Sequence, residues 1–126
     1  MIWTHYLGGS RHVALPRAAT SQDAVNHVDV EIDSALVAGL TAILVVEVRT
    51  LDGGVTITPK LRNITDANNT ALGAAATGTD ADYSGTNQQQ EIVVTFASGV
   101  KKYRLQGTPS ADTHDTFVIG YLRLED

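Results

Sequence analysis

The chain has 126 residues, of which 43% are hydrophobic and 18% are charged, and its formal net charge is −5. This length suits one domain with its own core, and the composition is not that of a disordered chain. The acidic balance argues against a nucleic-acid binder, which needs a basic face for the phosphates. The absence of cysteine excludes disulfides, thiolate catalysis and cysteine-bound zinc. The apolar runs are too short for a membrane span, and the first residues lack the pattern of a secretory signal, so we expect neither.

Residues 1–24 show neither the helical nor the strand period, and Gly8-Gly9 and Pro16 interrupt them. We therefore predict an extended N-terminal arm over 1–24, with one strand around Arg11 to Leu15. The domain proper is predicted over 25–126.

From residue 25 onward apolar and polar residues alternate, which is typical of half-buried strands. Ala42, Leu44, Val46 and Val48 are expected to face the core. Pro59 cannot donate to a ladder, so its strand is expected at an edge or at a bulge. Strands are predicted at 28–33, 41–51, 55–62, 71–77, 91–96, 102–106 and 116–125. The sequence thus predicts an all-β, antiparallel β-sandwich, most simply a jelly roll.

Catalytic motifs are absent from the sequence. It contains no phosphate-binding loop, no zinc-protease motif and no nucleophile elbow. No two carboxylates are marked as an acid/base pair, which disfavours a hydrolase. We predict no catalytic residue, no cofactor and no metal.

One stretch has the spacing of a calcium loop. Asp80, Asp82, Ser84 and Glu91 supply oxygen atoms at the expected intervals, and Gly85 stands at the sharp turn. No amphipathic helix flanks the stretch on either side. We therefore predict a loop and a strand start that bind no calcium.

Several strands carry apolar residues on the face opposite their core positions. A monomeric sandwich normally solvates its outer faces, so a second apolar face indicates either a subunit contact or coverage by the arm. The sequence leaves both explanations open. The predicted interface residues are Ile43, Val45, Phe117, Ile119 and Tyr121.

The residue pattern of several predicted strands resembles that of a known group of proteins. The stretch VTITPKLRNIT at 55–65, the stretch QEIVVTF at 90–96 and the ending FVIGYLRL at 117–124 are similar to small jelly-roll modules of tailed-phage virions. Such modules occur in capsid decoration (cement) proteins, head fibres and tail-fibre tips. The resemblance covers about residues 25–125 and leaves out the arm.

The resemblance implies a non-enzymatic decoration protein that binds and stabilises an assembled shell, as a homotrimer on the capsid surface of a virion assembled in the host cytoplasm. Its partner would be the major capsid protein lattice, with no nucleic acid and no membrane. The alternative is a receptor- or glycan-binding module of a tail or head fibre. The arm is the predicted capsid contact, through the residue types that anchor interfaces: Trp3, His5, Tyr6, Arg11 and Arg17.

Overall fold

The structure is a computed structural model that describes residues 2–80 and 82–126. It confirms the all-β prediction, since the described residues form strands, turns and loops. The strands are β1 (Ile2–Gly9), β2 (Gln22–Asp23), β3 (Val30–Asp33), β4 (Thr41–Thr50), β5 (Ile57–Asn63), β6 (Asn68–Leu72), β7 (Gln89–Val94), β8 (Val100–Pro109) and β9 (Thr116–Glu125). No helix in the described part of the chain is long and apolar enough to cross a membrane.

The strands form two antiparallel sheets that pack face to face. The first sheet has the order β1-β9-β4-β7, and the second has the order β2-β8-β5-β6, with β3 also paired to β8. Because β2 and β3 pair with different parts of β8, they form one interrupted edge. The first strand lies beside the last, and the path crosses between sheets repeatedly, which is the arrangement of a jelly roll.

The core lies between the sheets and follows the predicted alternation. Ala42, Leu44, Val46 and Val48 all face inward with at most 5% of their surface exposed, as predicted. Gly120 lies on β9 where the two central strands approach closely. A Cβ atom there would lie 2.8 Å from the carbonyl oxygen of Val45, which explains the glycine.

The first 24 residues belong partly to the sandwich. Residues 2–9 form β1, which pairs with β9, and the strand predicted around Arg11 to Leu15 is therefore misplaced. Leu7 and Leu15 are both buried in the core. Residues on both faces of the edge strand β1 are partly exposed, so neither face has to be consistently apolar. The sequence of β1 therefore shows no clear alternation of apolar and polar residues.

Two further strand predictions need correction. β6 begins at Asn68, inside the expected polar loop, and ends at Leu72 instead of continuing to residue 77. β5 is an inner strand, so Pro59 does not lie at an edge, and the register shift of the β5–β6 ladder lies at Leu61 and Arg62 and not at Pro59. The carbonyl oxygen of Pro59 accepts from the Gly73 N–H (2.9 Å), just beyond the end of β6. Because β6 has ended at this point, no β6 residue needs a backbone N–H donor from Pro59.

Candidate functional site

The outer face of the first sheet, which we call the front face, brings together residues from four strands. Residues that lie opposite each other in a ladder share a face. The register aligns Tyr6 of β1, Tyr121 of β9, Val45 of β4 and Glu91 of β7 in one row. Further along the same strands, Glu47 lies between Ile119 and Gln89, and Arg49 lies opposite Phe117.

An apolar hollow of about 140 Å³ lies near the middle of the front face. Its walls are mostly aromatic and aliphatic, and one ion pair closes it at one end. Tyr6 is 52% exposed, whereas Tyr121 and Val45 are half-buried. The lining residues are Tyr6, Arg11, Val45, Glu47, Ile119, Gly120 and Tyr121.

A larger polar hollow of about 610 Å³ adjoins the apolar one, and the two share Arg11 and Glu47. The loop before β7 forms its far wall through Asp82 and Tyr83. The complete lining is Arg11, His12, Glu47, Arg49, Asp82, Tyr83 and Gln89. The two hollows thus form one depression along β4, divided by the ion pair of Arg11 and Glu47.

Arginine side chains and aromatic rings stack at the boundary of the two hollows. The guanidinium carbon of Arg49 lies 4.6 Å from the ring centre of Phe117 and 5.5 Å from that of Tyr83. The guanidinium of Arg11 also lies 5.5 Å from the Tyr83 ring centre. Cations over ring faces are attracted by the ring quadrupole, by about 0.5–2 kcal/mol each. The stack therefore holds the loop of Tyr83 against the sheet.

Tyr83 is unusual in three respects. It is 6% exposed although it lies in a loop, its φ angle is 58°, and its buried hydroxyl lies beside the guanidinium of Arg49. Burial raises the pKa of the Tyr83 phenol above its ordinary value. Loop residues around it are fixed, since Gln89 Nε2 donates to the Tyr83 carbonyl (3.0 Å) and the buried Gln88 donates to the Gly78 carbonyl (2.8 Å).

The predicted interface residues all lie on the front face, but they differ in accessibility. Val45, Ile119 and Tyr121 line the apolar hollow and are accessible. Phe117 is 5% exposed because the Arg49 guanidinium covers its ring, and Ile43 is 9% exposed between its cross-strand neighbours. These two residues have little surface left to offer another chain.

The predicted arm residues are divided between different surfaces. Tyr6 and Arg11 join the front face. Trp3 and His5 point to the other side of β1, where their rings stack with centroids 5.8 Å apart. Arg17 lies apart from both, and its Nε atom lies 3.2 Å from Asp112 Oδ1.

Trp3 also lines a second, mostly apolar groove, of about 350 Å³, which we call the edge groove. It lies between the beginning of β1, at Ile2 and Trp3, and the edge strand β3. Ile2 and Trp3 are 66% and 41% exposed there. The lining residues are Ile2, Trp3, Val30, Glu31, Ile32, Val37, Leu40 and Leu124.

The residues with calcium-loop spacing are engaged in other contacts. The carboxylate of Asp80 accepts hydrogen bonds from the Asp82 N–H (2.6 Å) and from the Ser84 hydroxyl, and both lower its pKa. Glu91 lies on β7 and pairs with Arg123 at 3.0 Å. In the part of the chain that the structure describes, no group of three or more acidic or histidine side chains could hold a metal ion.

Glu47, Arg49 and Tyr83 belong to this face but were not among the predicted site residues. The alternation in β4 placed Glu47 and Arg49 outward, but no pattern indicated that a loop tyrosine 34 residues later would cover Arg49. An apolar side chain in a loop rich in Asp, Ser and Thr was the one available signal.

Comparisons with known proteins support the fold. No known protein family and no curated protein matches the sequence. The fold is similar to that of VP2 of infectious bursal disease virus in a subviral particle (TM-score 0.56, 11% identity) and in the Gx strain (TM-score 0.52, 12% identity). Each match covers 98% of this chain but about a third of the viral chain, 32% and 31%. The chain therefore shares its fold with about a third of the VP2 chain.

Proposed function

We propose that this protein is a non-enzymatic structural component of a virion, a decoration (cement) protein that binds the assembled capsid of a tailed phage. Its partner is the major capsid protein lattice, and it resides on the capsid surface of particles assembled in the host cytoplasm. The fold shared with VP2 of infectious bursal disease virus, whose structure was solved in a subviral particle, supports a structural role in a virion.

The observation that carries the proposal is the composition of the front face. An outward sheet face of a monomer is normally polar, but here Tyr6 and Tyr121 border an apolar hollow beside Arg11 and Arg49. Tyrosine and arginine are the residue types that most often anchor protein interfaces, because they bury large areas and offer directed donors. The front face therefore suits a protein partner.

Stabilisation of the shell follows from linkage. A protein that binds the assembled lattice and not its separate subunits shifts the equilibrium toward the lattice. At a free concentration 100 times its Kd, each occupied site stabilises the bound state by about 2.7 kcal/mol.

Self-association needs a surface of its own in this scheme. Tyr6 and Arg11, expected to dock the shell, share one hollow with Val45, Ile119 and Tyr121, expected to contact other subunits. One hollow cannot serve both contacts at once. We assign the shell contact to the front face and the homotrimer contact to the edge groove at Trp3, where the edge of β1 is open.

Sedimentation of the purified protein tests this assignment. Trp3→Asp should convert the trimer to a monomer, and Tyr121→Asp should leave the trimer intact. The reverse pattern would return the subunit contact to the front face, and a wild-type monomer at high concentration would exclude the homotrimer.

A receptor- or glycan-binding role in a fibre is the second candidate. It is favoured by the cross-strand pair of Tyr6 and Tyr121, since exposed aromatic rings with an apolar body and a polar tip suit amphipathic ligands. A glycan array with Tyr6→Ala as the control distinguishes it from the first candidate.

Co-sedimentation with assembled shells and with dissociated capsid subunits tests the proposed function. Wild-type protein should bind shells, raise their disassembly temperature and ignore the free subunits. Tyr121→Asp should abolish binding. Leu72→Asp adds the same charge at a residue that is 61% exposed on the opposite sheet, and it should bind as wild type does. Equal loss in both variants, or no shell binding by the wild type, would refute the proposal.

A further inference from the structure

The front face contains an arginine that lacks a counter-ion. Arg11 pairs with Glu47 and Arg123 pairs with Glu91, whereas no carboxylate within residues 2–80 and 82–126 pairs with Arg49. Arg49 lines the polar hollow, where its charge faces the open volume. An unpaired guanidinium is notable in a chain whose acidic residues outnumber its lysines and arginines by 14 to 9.

The position of this guanidinium is fixed by its neighbours. It stacks against Phe117 and Tyr83, and its Nη2 atom donates to the Arg11 carbonyl at 2.9 Å. Its Nε atom is buried, and the Arg49 side chain lies beside the buried Tyr83 hydroxyl. The Arg49 Nη1 atom makes no hydrogen bond within the described residues and is not among the buried atoms, so this charged donor is available to a ligand at the hollow.

We propose that Arg49 receives a carboxylate from a segment of the partner protein, and that the same segment places an apolar side chain in the hollow of Val45 and Tyr121. This inference rests on the proposed function, since it specifies the chemistry of the partner. Arginine binds carboxylates through two parallel N–H donors, and a stacked guanidinium loses little further freedom on binding. Because the hollows adjoin at the ion pair of Arg11 and Glu47, one extended segment that passes over this pair can reach both.

The register of β4 sets the spacing of the two anchors. Val45 and Arg49 are four residues apart on one face of the strand, which corresponds to about 13 Å at the rise of an extended chain. An extended partner segment covers that distance in about four residues. The recognised pattern is therefore an aspartate or glutamate about four positions from a large apolar residue.

A protein segment suits the depression better than an acidic sugar. Sugar binding would need an open aromatic ring beside Arg49, but the guanidinium groups of Arg11 and Arg49 already lie over the Tyr83 ring. The adjoining apolar hollow has the size of a single side chain. Both features favour a peptide with an apolar anchor and an acidic anchor.

Selection from a display library of random twelve-residue peptides against the full-length protein tests the inference. Enriched peptides should share the acidic and apolar pair at this spacing and should shift the amide resonances of Val45, Arg49 and Tyr121. Arg49→Met should weaken their binding about 10- to 100-fold, the effect of losing a hydrogen-bonded charge pair. Arg49→Lys, which keeps the charge, should weaken it less.

Arg62→Met is the matched control, because Arg62 also lacks a carboxylate partner but lies on the second sheet, bonded to Asn69 and the Ala67 carbonyl. It should leave peptide binding unchanged. An absence of enriched peptides, enrichment without acidic residues, or equal loss in both variants would overturn the inference. So would resonance shifts at Arg49 on titration with glucuronate that the peptides do not produce.

The failure of this inference can be distinguished from failure of the proposed function. Shell binding that survives Arg49→Met but not Tyr121→Asp would keep the decoration role and remove the carboxylate contact. Enriched peptides of the stated pattern without shell binding would keep the peptide site and remove the decoration role.

Discussion

The Nε atom of Arg11 lies 2.7 Å from Oε2 of Glu47, which connects the residues after β1 to the middle of β4 across the front face. Arg11 also lies over the Tyr83 ring, so one side chain holds three separate parts of the chain together. The N-terminal segment is thus fixed on the surface that carries the proposed contact. If this segment docks to a partner, it presents a preformed surface, and little conformational entropy is lost on binding.

The Arg11–Glu47 pair should contribute little to stability. The two side chains are 53% and 26% exposed, and solvent screens such pairs. A double-mutant cycle with Arg11→Met and Glu47→Gln should give a coupling free energy of about 1 kcal/mol or less in urea unfolding. A coupling free energy several times larger would show that the pair is a main structural element.

Leu7→Ala should destabilise the protein by about 2–5 kcal/mol, because it empties a fully buried core position on β1. Val13→Ala, in the same N-terminal segment but 56% exposed, should change the free energy of unfolding by less than about 0.5 kcal/mol. Urea unfolding measures both.

Deletion of residues 1–20 should unfold the domain, and a truncated protein with an unchanged melting temperature would mean that β1 is dispensable.

Tyr83→Phe should change the free energy of unfolding by no more than about 1 kcal/mol, because the loss of the contact between the hydroxyl and Arg49 is offset by the removal of a buried polar group. The raised pKa of Tyr83 adds a pH signature. Above the ordinary tyrosine pKa the unfolded chain releases this proton more readily than the folded one, so the wild type loses stability as the pH rises. The variant should lose less stability as the pH rises above the ordinary tyrosine pKa of about 10. An identical alkaline slope in both proteins would contradict the burial of the hydroxyl.

The contact between Arg104 and Asp29 should govern part of the acid unfolding. Arg104 donates two hydrogen bonds to the Asp29 carboxylate, each 2.8 Å, and this lowers the pKa of Asp29. A carboxyl group whose pKa is lower in the folded than in the unfolded state stabilises the protein at pH values above its unfolded-state pKa. This stabilisation is lost as the pH falls through the folded-state pKa. Asp29→Asn should therefore cost about 1–2 kcal/mol at neutral pH.

The difference between Asp29→Asn and the wild type should shrink below the ordinary aspartate pKa of 3.8. Asp33→Asn is a suitable control, because Asp33 accepts a hydrogen bond from a backbone N–H, that of Ala35, and has no ion pair within the described residues. A difference that stays constant down to about pH 2 would show that the effect is not electrostatic.

Gly120→Ala should destabilise the protein by about 1–3 kcal/mol, because the new Cβ would meet the Val45 carbonyl oxygen at 2.8 Å and the strands would have to separate. Gly53→Ala is the matched control, since nothing lies within 4 Å of a Cβ there. Thermal unfolding compares the two. Equal melting temperatures would show that β4 and β9 are further apart than the structure indicates.

The amino-acid sequence by itself determined the fold class and most strands of the central layers. Period-two alternation is a local property, so it was visible at 41–51 and 116–125 without knowledge of any partner strand. The same alternation identified the inward residues of β4 and the outward apolar residues Val45, Ile119 and Tyr121.

The tertiary structure alone decided which of these residues form one surface. Tyr6 meets Tyr121 because the first strand pairs with the last, and Arg49 meets Tyr83 because a loop folds back over β4. Both contacts depend on strand order and loop path, which are set by the summed burial of many distant residues. No local sequence pattern shows how this total burial is distributed. The terminal edge strand β1 has neither face buried along its whole length, so it lacks the alternation that would have identified it as a strand.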